Sequence, residues 1–183
     1  MRIMRGFLVI TLSAAAVLAL LAVFRPARSA GAIHAAAALD VVINEVAWGG
    51  TAAGSTDEWI ELKNNTAGAI NLNGWVLRSL TDNSPSFILT GTIAPGGYYL
   101  LERSDNNTVS DIPSDQPPYT GDLANAGESL QLTDAASTVV DTANGNGGAW
   151  PAGSGSPGYY SMERINSLAP DADLNWASND GVT

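Results

Sequence analysis

Two runs constrain this chain most: Asp57 to Asn64, reading DEWIELKN, and Ile70 to Leu77, reading INLNGWVL. Apolar and polar residues alternate in the first, and the turn-rich Asn65–Thr66–Ala67–Gly68 separates it from the second. A period of two bounded by turn residues marks half-buried antiparallel strands joined by a short loop. Alternation also assigns faces. Ile60 and Leu62 point to the core, with Trp59, Glu61 and Lys63 on the opposite face, and Leu130 and Leu132 repeat the scheme. In Ile70–Leu77 the apolar parity shifts across Gly74, from Ile70 and Leu72 to Trp75 and Leu77. A glycine at a parity shift predicts a β-bulge.

The same grammar runs on from Val41. Strands are expected at Val41–Trp48, Glu58–Lys63, Ile70–Arg78, Phe87–Thr92, Tyr98–Arg103, Ser129–Thr133, Val139–Thr142 and Tyr159–Arg164. The connections are rich in Gly, Asn, Asp, Ser and Pro. In Ala94–Pro95–Gly96–Gly97, proline pre-sets one turn angle and glycine takes the positive one. No stretch from Asp40 onward sustains a 3.6-residue apolar period over three turns. Many short strands without a helix argue for an all-β antiparallel sandwich of about seven to nine strands.

The first residues read differently. Arg2 and Arg5 precede a charge-free apolar run, Gly6 to Phe24, and then the small-residue stretches Ser29–Ala32 and Ala35–Ala38. A basic start, an apolar helix-forming middle and an Ala-x-Ala exit describe a secretory signal peptide. Cleavage fits after Ala32 or after Ala38, and the second is favoured because strand-like sequence begins just beyond it. An uncleaved anchor is the alternative, because about 20 apolar residues span a bilayer. Arg25 and Arg28 beyond the run speak against it. Both readings place the domain outside the cytoplasm, secreted or at the cell surface. The expected layout is a leader over 1–38, a sandwich over 39–168, and a polar tail or truncated continuation over 169–183 without a closing strand.

Composition excludes several chemistries. There is no cysteine, and the single histidine, His34, lies in or beside the leader. Cys–His and Ser–His–Asp nucleophilic machinery and His- or Cys-ligated zinc therefore have no residues to build on in the domain. Carboxylate chemistry survives. From Asp40 onward four basic residues stand against eighteen acidic ones, a net charge of −14. Lys63, Arg78, Arg103 and Arg164 are too few and scattered to clamp phosphates, which argues against nucleic acid. Membrane contact is expected only through an uncleaved leader.

With these strands placed, the series VINEVAW, DEWIELKN, INLNGWVL, IAPGGYYLLER, GESLQLTD, VVD and SMER resembles the lamin tail domain, in particular its secreted bacterial branch. The likeness runs from about Val42 to Arg164, and its motif positions include Glu45, Trp59, Glu61, Gly74, Trp75, Gly96, Gly97, Gly127 and Glu128. It implies an immunoglobulin-like sandwich and brings no catalytic motif. In exported bacterial proteins such domains sit beside hydrolases as accessory modules. The filament role of the animal members does not transfer, because coiled-coil heptads and a nuclear signal are missing.

Three constellations remain. Glu45, Glu61 and Lys63 fall on the outer face of adjacent strands, either as a carboxylate pair for glycoside hydrolysis or as a cross-strand charge cluster. Asp171, Asp173 and Asn175 carry the first half of a calcium-loop spacing, but Trp176 and Val182 stand where an EF-hand needs Gly and Glu. Asp105, Asn107 and Asp111, with Asn106 and Asp115, offer a less regular cation loop, so weak calcium binding is the one cofactor expectation. Among ten Trp and Tyr residues, Trp150 in a Gly-rich loop is the leading exposed anchor, with Tyr119 and Tyr159 beside it. Asn64 and Asn106 begin N-x-T sequons.

The sequence therefore favours an exported non-catalytic interaction module whose partner is a protein or polysaccharide. A carboxylate-dependent glycan hydrolase and a structural spacer of a larger surface protein are the alternatives. Oligomeric state is open.

Overall fold

The structure is a computed structural model that describes residues 36–179. Eleven strands follow in order: β1 Val41–Ala47, β2 Trp59–Asn64, β3 Ile70–Asn71, β4 Val76–Ser79, β5 Ser86–Ile88, β6 Thr92–Ile93, β7 Tyr98–Glu102, β8 Leu130–Thr133, β9 Val139–Ala143, β10 Ser161–Arg164 and β11 Trp176–Asn179. They form a five-stranded sheet in the order β11-β10-β1-β2-β7, a four-stranded sheet in the order β5-β4-β8-β9, and a β3-β6 ribbon. Every strand pairing is antiparallel. The fold is the all-β sandwich that alternation called for, with the immunoglobulin-like character that the family resemblance implied. The leader expected before it lies outside the described residues apart from Ala36–Ala38. Among the described residues no helix is long and apolar enough to cross a membrane.

The strand count exceeds the expectation for two reasons. First, Ile70–Arg78 and Phe87–Thr92 each split in two. The chain turns at Asn73–Gly74 instead of bulging inside one strand, and Gly74 takes a φ of 83° that favours glycine. The parity shift survives the split, since Leu72, Trp75 and Leu77 are all buried. Second, the expected polar tail holds β11. It pairs with β10 from Ser161↔Asn179 to Arg164↔Trp176 and buries Trp176.

Two bulges occur where none was expected. Asn44 is the extra residue of β1, because Ile43 faces Leu62 and Glu45 faces Glu61, and Val140 is the extra residue of β9, because Leu132 faces Asp141 and Thr133 faces Val139. Gly96 takes a φ of 62° in the 94–97 turn, where the Gly97 amide donates to the Ala94 carbonyl at 3.0 Å. Gly127 has a steric role: a Cβ there would stand 1.9 Å from the Gly148 carbonyl oxygen.

Ile43, Ile60, Leu62, Leu77, Leu101 and Leu132, all at most 1 % exposed, meet between the two large sheets. Polar side chains fasten the edges of that core. Buried Asn64 donates through Nδ2 to the carbonyls of Gly68 at 2.7 Å and Ala94 at 2.9 Å, and accepts from the Thr66 amide at 2.8 Å. It thereby clamps the 65–68 loop onto the 94–97 turn. Asn64→Ala strands these backbone groups, and a loss of about 1–3 kcal/mol is expected in chemical denaturation. An unchanged midpoint would refute the clamp.

Arg164 ties the two large sheets together. From β10 its guanidinium donates to Asp141 Oδ2 on β9 at 2.6 Å, to the Thr142 carbonyl at 2.9 Å and to the Ile43 carbonyl at 3.0 Å. It also lies 4.7 Å from the Trp176 ring centroid. The Ile43 amide closes the loop by donating to Asp141 Oδ2 at 2.8 Å.

Candidate functional site

The outer face of the five-stranded sheet carries an unusual row. Glu61 on β2 sits directly opposite Glu45 on β1, which sits directly opposite Glu163 on β10. Three carboxylates thus follow one another across three adjacent strands, and like charges in such positions repel. All three are half-buried. The bulge brings Asn44 beside them, and its Nδ2 donates to Glu61 Oε1 at 3.0 Å. Glu45 Oε1 accepts from Ser161 Oγ and, at 3.1 Å, from Asn179 Nδ2.

The electrostatics follow from that packing. Burial raises the Glu61 pKa to about 7; the Asn44 bond opposes the rise, and Glu45 and Glu163 add to it. Glu45 is raised as well, by burial first and by Glu163, against the bonds from Ser161 and Asn179. Lys63 is the cation of the neighbourhood and lies 5.4 Å from the ring centroid of exposed Tyr98, its partner across β2–β7. Half-buried Trp59 lies on the same face as Glu61. The result is an acidic, partly desolvated strip bordered by two aromatic rings.

The aromatic anchors expected in the loops fare differently. Trp150 is interior: it stacks on Trp48 at 6.2 Å with the planes 7° apart, and its Nε1 donates to the Ala124 carbonyl at 2.9 Å. Its glycine-rich surroundings suggested exposure, but the 143–157 loop folds back over the core. Tyr119 is interior too, 4 % exposed and stacked on Phe87 at 4.7 Å. Tyr159 is half-buried, and its neighbour Tyr160 is exposed.

The acidic loop residues are engaged with the protein itself. Asp171 accepts from Thr142 Oγ1 at 2.9 Å, the Gly145 amide at 2.7 Å and Trp176 Nε1 at 2.8 Å. Asp173 accepts from Asn146 Nδ2 at 3.0 Å. These bonds pin the 165–175 connection to the end of β9, beside an open depression of about 550 Å³. Asp105 accepts from the Asn107 amide at 3.3 Å, and Asp111 is exposed. Among the described residues no group of three or more His, Cys, Asp or Glu is arranged to hold a metal. Asp171 and Asp173 cross-link the chain through these bonds.

Of the sequons, Asn64 is fully buried while Asn106 is exposed. Sequence reasoning found Glu45, Glu61 and Lys63 but missed Glu163, Asn44, Ser161 and Asn179. For Glu163 a signal existed: in Ser161–Arg164, Met162 is fully buried and Glu163 half-exposed. For the others, the bulge and β11 had to be known first.

No curated protein matches the chain. The model of the Lamin Tail Domain family matches residues 34–146, which takes in β1 to β9. Together with the immunoglobulin-like sandwich, that match establishes that the chain belongs to the lamin tail domain family.

Proposed function

We propose that this domain is an exported, non-catalytic interaction module that docks a cationic protein segment on the Glu61–Glu45–Glu163 strip. The observation that supports this reading is electrostatic. A fold that only needed stability would not set three half-buried carboxylates side by side across β2, β1 and β10. A lysine or arginine laid along the strip relieves the repulsion that Glu61 and Glu45 now bear, and Tyr98 and Trp59 supply apolar contact at its border.

The test is salt-sensitive retention of the full chain on cell envelopes of its host. Glu45→Gln with Glu61→Gln is expected to reduce retention at least tenfold, while Asp82→Asn with Asp111→Asn leaves it unchanged. Retention is also expected to strengthen from about pH 6 to about pH 8 as Glu61 ionises. Equal losses in both double variants would reduce the strip to ordinary surface charge. A polysaccharide partner would show as retention that survives protein extraction of the envelopes.

A glycan hydrolase is the second reading, because Glu61 and Glu45 stand directly opposite each other on adjacent strands and such enzymes work with a pair of carboxyl groups. Glu61, raised to about 7, has the character of a general acid. That reading expects turnover of glycans that Glu61→Gln abolishes. The docking reading expects none in either protein.

A further inference from the structure

The 104–118 loop crosses the outer side of β7, and one side chain beneath it is left incomplete. Glu102 is fully buried. Its Oε1 accepts from the Val109 amide at 2.6 Å, but its Oε2 has no hydrogen-bond partner. Thr108 Oγ1, one residue from that amide, is likewise buried and unpartnered. The two ion pairs found among the described residues, Arg103–Glu58 and Arg164–Asp141, both leave Glu102 out. A carboxylate out of water without a counter-charge is costly, and so is a buried hydroxyl without a partner.

The loop overhead carries Asp105, Asn106, Asn107 and Asp111, all exposed. It is held down at its far end, where the Leu100 amide donates to Asp115 Oδ2 at 2.7 Å and the Asp115 amide to the Leu100 carbonyl at 2.9 Å.

We propose that Glu102 Oε2 and Thr108 Oγ1 are the inner ligands of a calcium ion seated beneath the 104–118 loop, with loop oxygens completing the shell. The donor chemistry selects the ion. Carboxylate, hydroxyl, carbonyl and amide oxygens suit a hard cation, and the absence of cysteine and of described histidine disfavours zinc and copper. An irregular loop meets calcium's flexible coordination better than the strict octahedron of magnesium. One inner carboxylate makes the site weak, in the range of about 0.1–1 mM found in extracellular modules. The ion supplies the counter-charge that Glu102 lacks and fastens the loop in place.

The experiment compares thermal unfolding and limited proteolysis of the full chain in calcium chloride, magnesium chloride and chelator. At calcium about tenfold above its dissociation constant, the melting temperature is expected to rise by roughly 3–5 °C. Cleavage between residues 104 and 118 is expected to slow several-fold, with magnesium doing neither. Glu102→Gln removes both effects. Thr108→Val, which keeps the shape and deletes only the hydroxyl, weakens the calcium affinity and carries the test if the glutamine variant does not fold. Two results would overturn the proposal: no calcium response in the native chain, or the same response in Thr108→Val and Glu102→Gln, which would assign it to diffuse surface charge.

Discussion

Arg164→Met is expected to lower the unfolding free energy by about 3–5 kcal/mol, the largest effect of any single exchange described above. The side chains of Arg164 and Asp141 are 0 % and 2 % exposed, so water does not replace the lost partner. Removing the guanidinium leaves the Asp141 carboxylate buried with only backbone amides to satisfy it, and orphans the Ile43, Thr142 and Ala169 carbonyls. For a domain of this size the melting temperature should drop by roughly 10–15 °C. Asp141→Leu combined with Arg164→Met should recover much of the loss, because two apolar groups replace a buried pair at little net cost. A single variant within about 1 kcal/mol of the native chain would show that the two sheets are held by the apolar core alone.

The second large effect concerns pH. Glu58 and Glu128 are both buried, and burial raises each to about 7. The Leu123 amide at 2.8 Å and Arg103 at 2.7 Å oppose the rise at Glu58. At Glu128 the Ala124 amide at 2.8 Å opposes it, while Asp82, Asp122 and Glu58 reinforce it. The sign is the reverse of the usual carboxylate case. These groups are raised in the fold above their unfolded value of 4.5, so the folded state binds more protons between 4.5 and about 7. The stability these two groups contribute is therefore full at and below pH 4.5 and is lost as pH rises through about 7, until both are ionised near pH 8.

For a group as enclosed as Glu128, full ionisation costs on the order of 1–3 kcal/mol, and the melting temperature should fall by roughly 5–10 °C over that window. Glu128→Gln has nothing to ionise. It should match the native chain near pH 5 and exceed it near pH 8. Melting curves in a pH series would reveal it, and a native stability that climbed with pH would contradict the assignment.

These two effects also mark where the sequence stopped being readable. Alternation in Trp59–Asn64 placed Ile60 and Leu62 in the core and Glu61 outside, since a strand's period is local information. Arg164 and Asp141 are 23 positions apart and meet only because β9 and β10 belong to different sheets, so no spacing rule couples them. Trp150 misled for a related reason: its flanking glycines describe the backbone, whereas its burial is decided by Trp48, a hundred residues earlier. β11 escaped because Trp-Ala-Ser-Asn carries a single large apolar residue, and only the edge of β10 gives it a reason to extend. The acidic strip was half visible. Glu45 and Glu61 followed from parity, but their register with Glu163 needed the unannounced bulge at Asn44.

The docking face is tested most directly by mapping amide chemical shifts while a lysine-rich peptide is titrated into the full chain. Changes should concentrate on Asn44–Glu45, Glu61–Lys63, Tyr98 and Glu163, saturate, and vanish in Glu45→Gln with Glu61→Gln. Changes confined to the 165–175 connection, or spread evenly over all acidic positions, would contradict a docking face on the Glu61–Glu45–Glu163 strip.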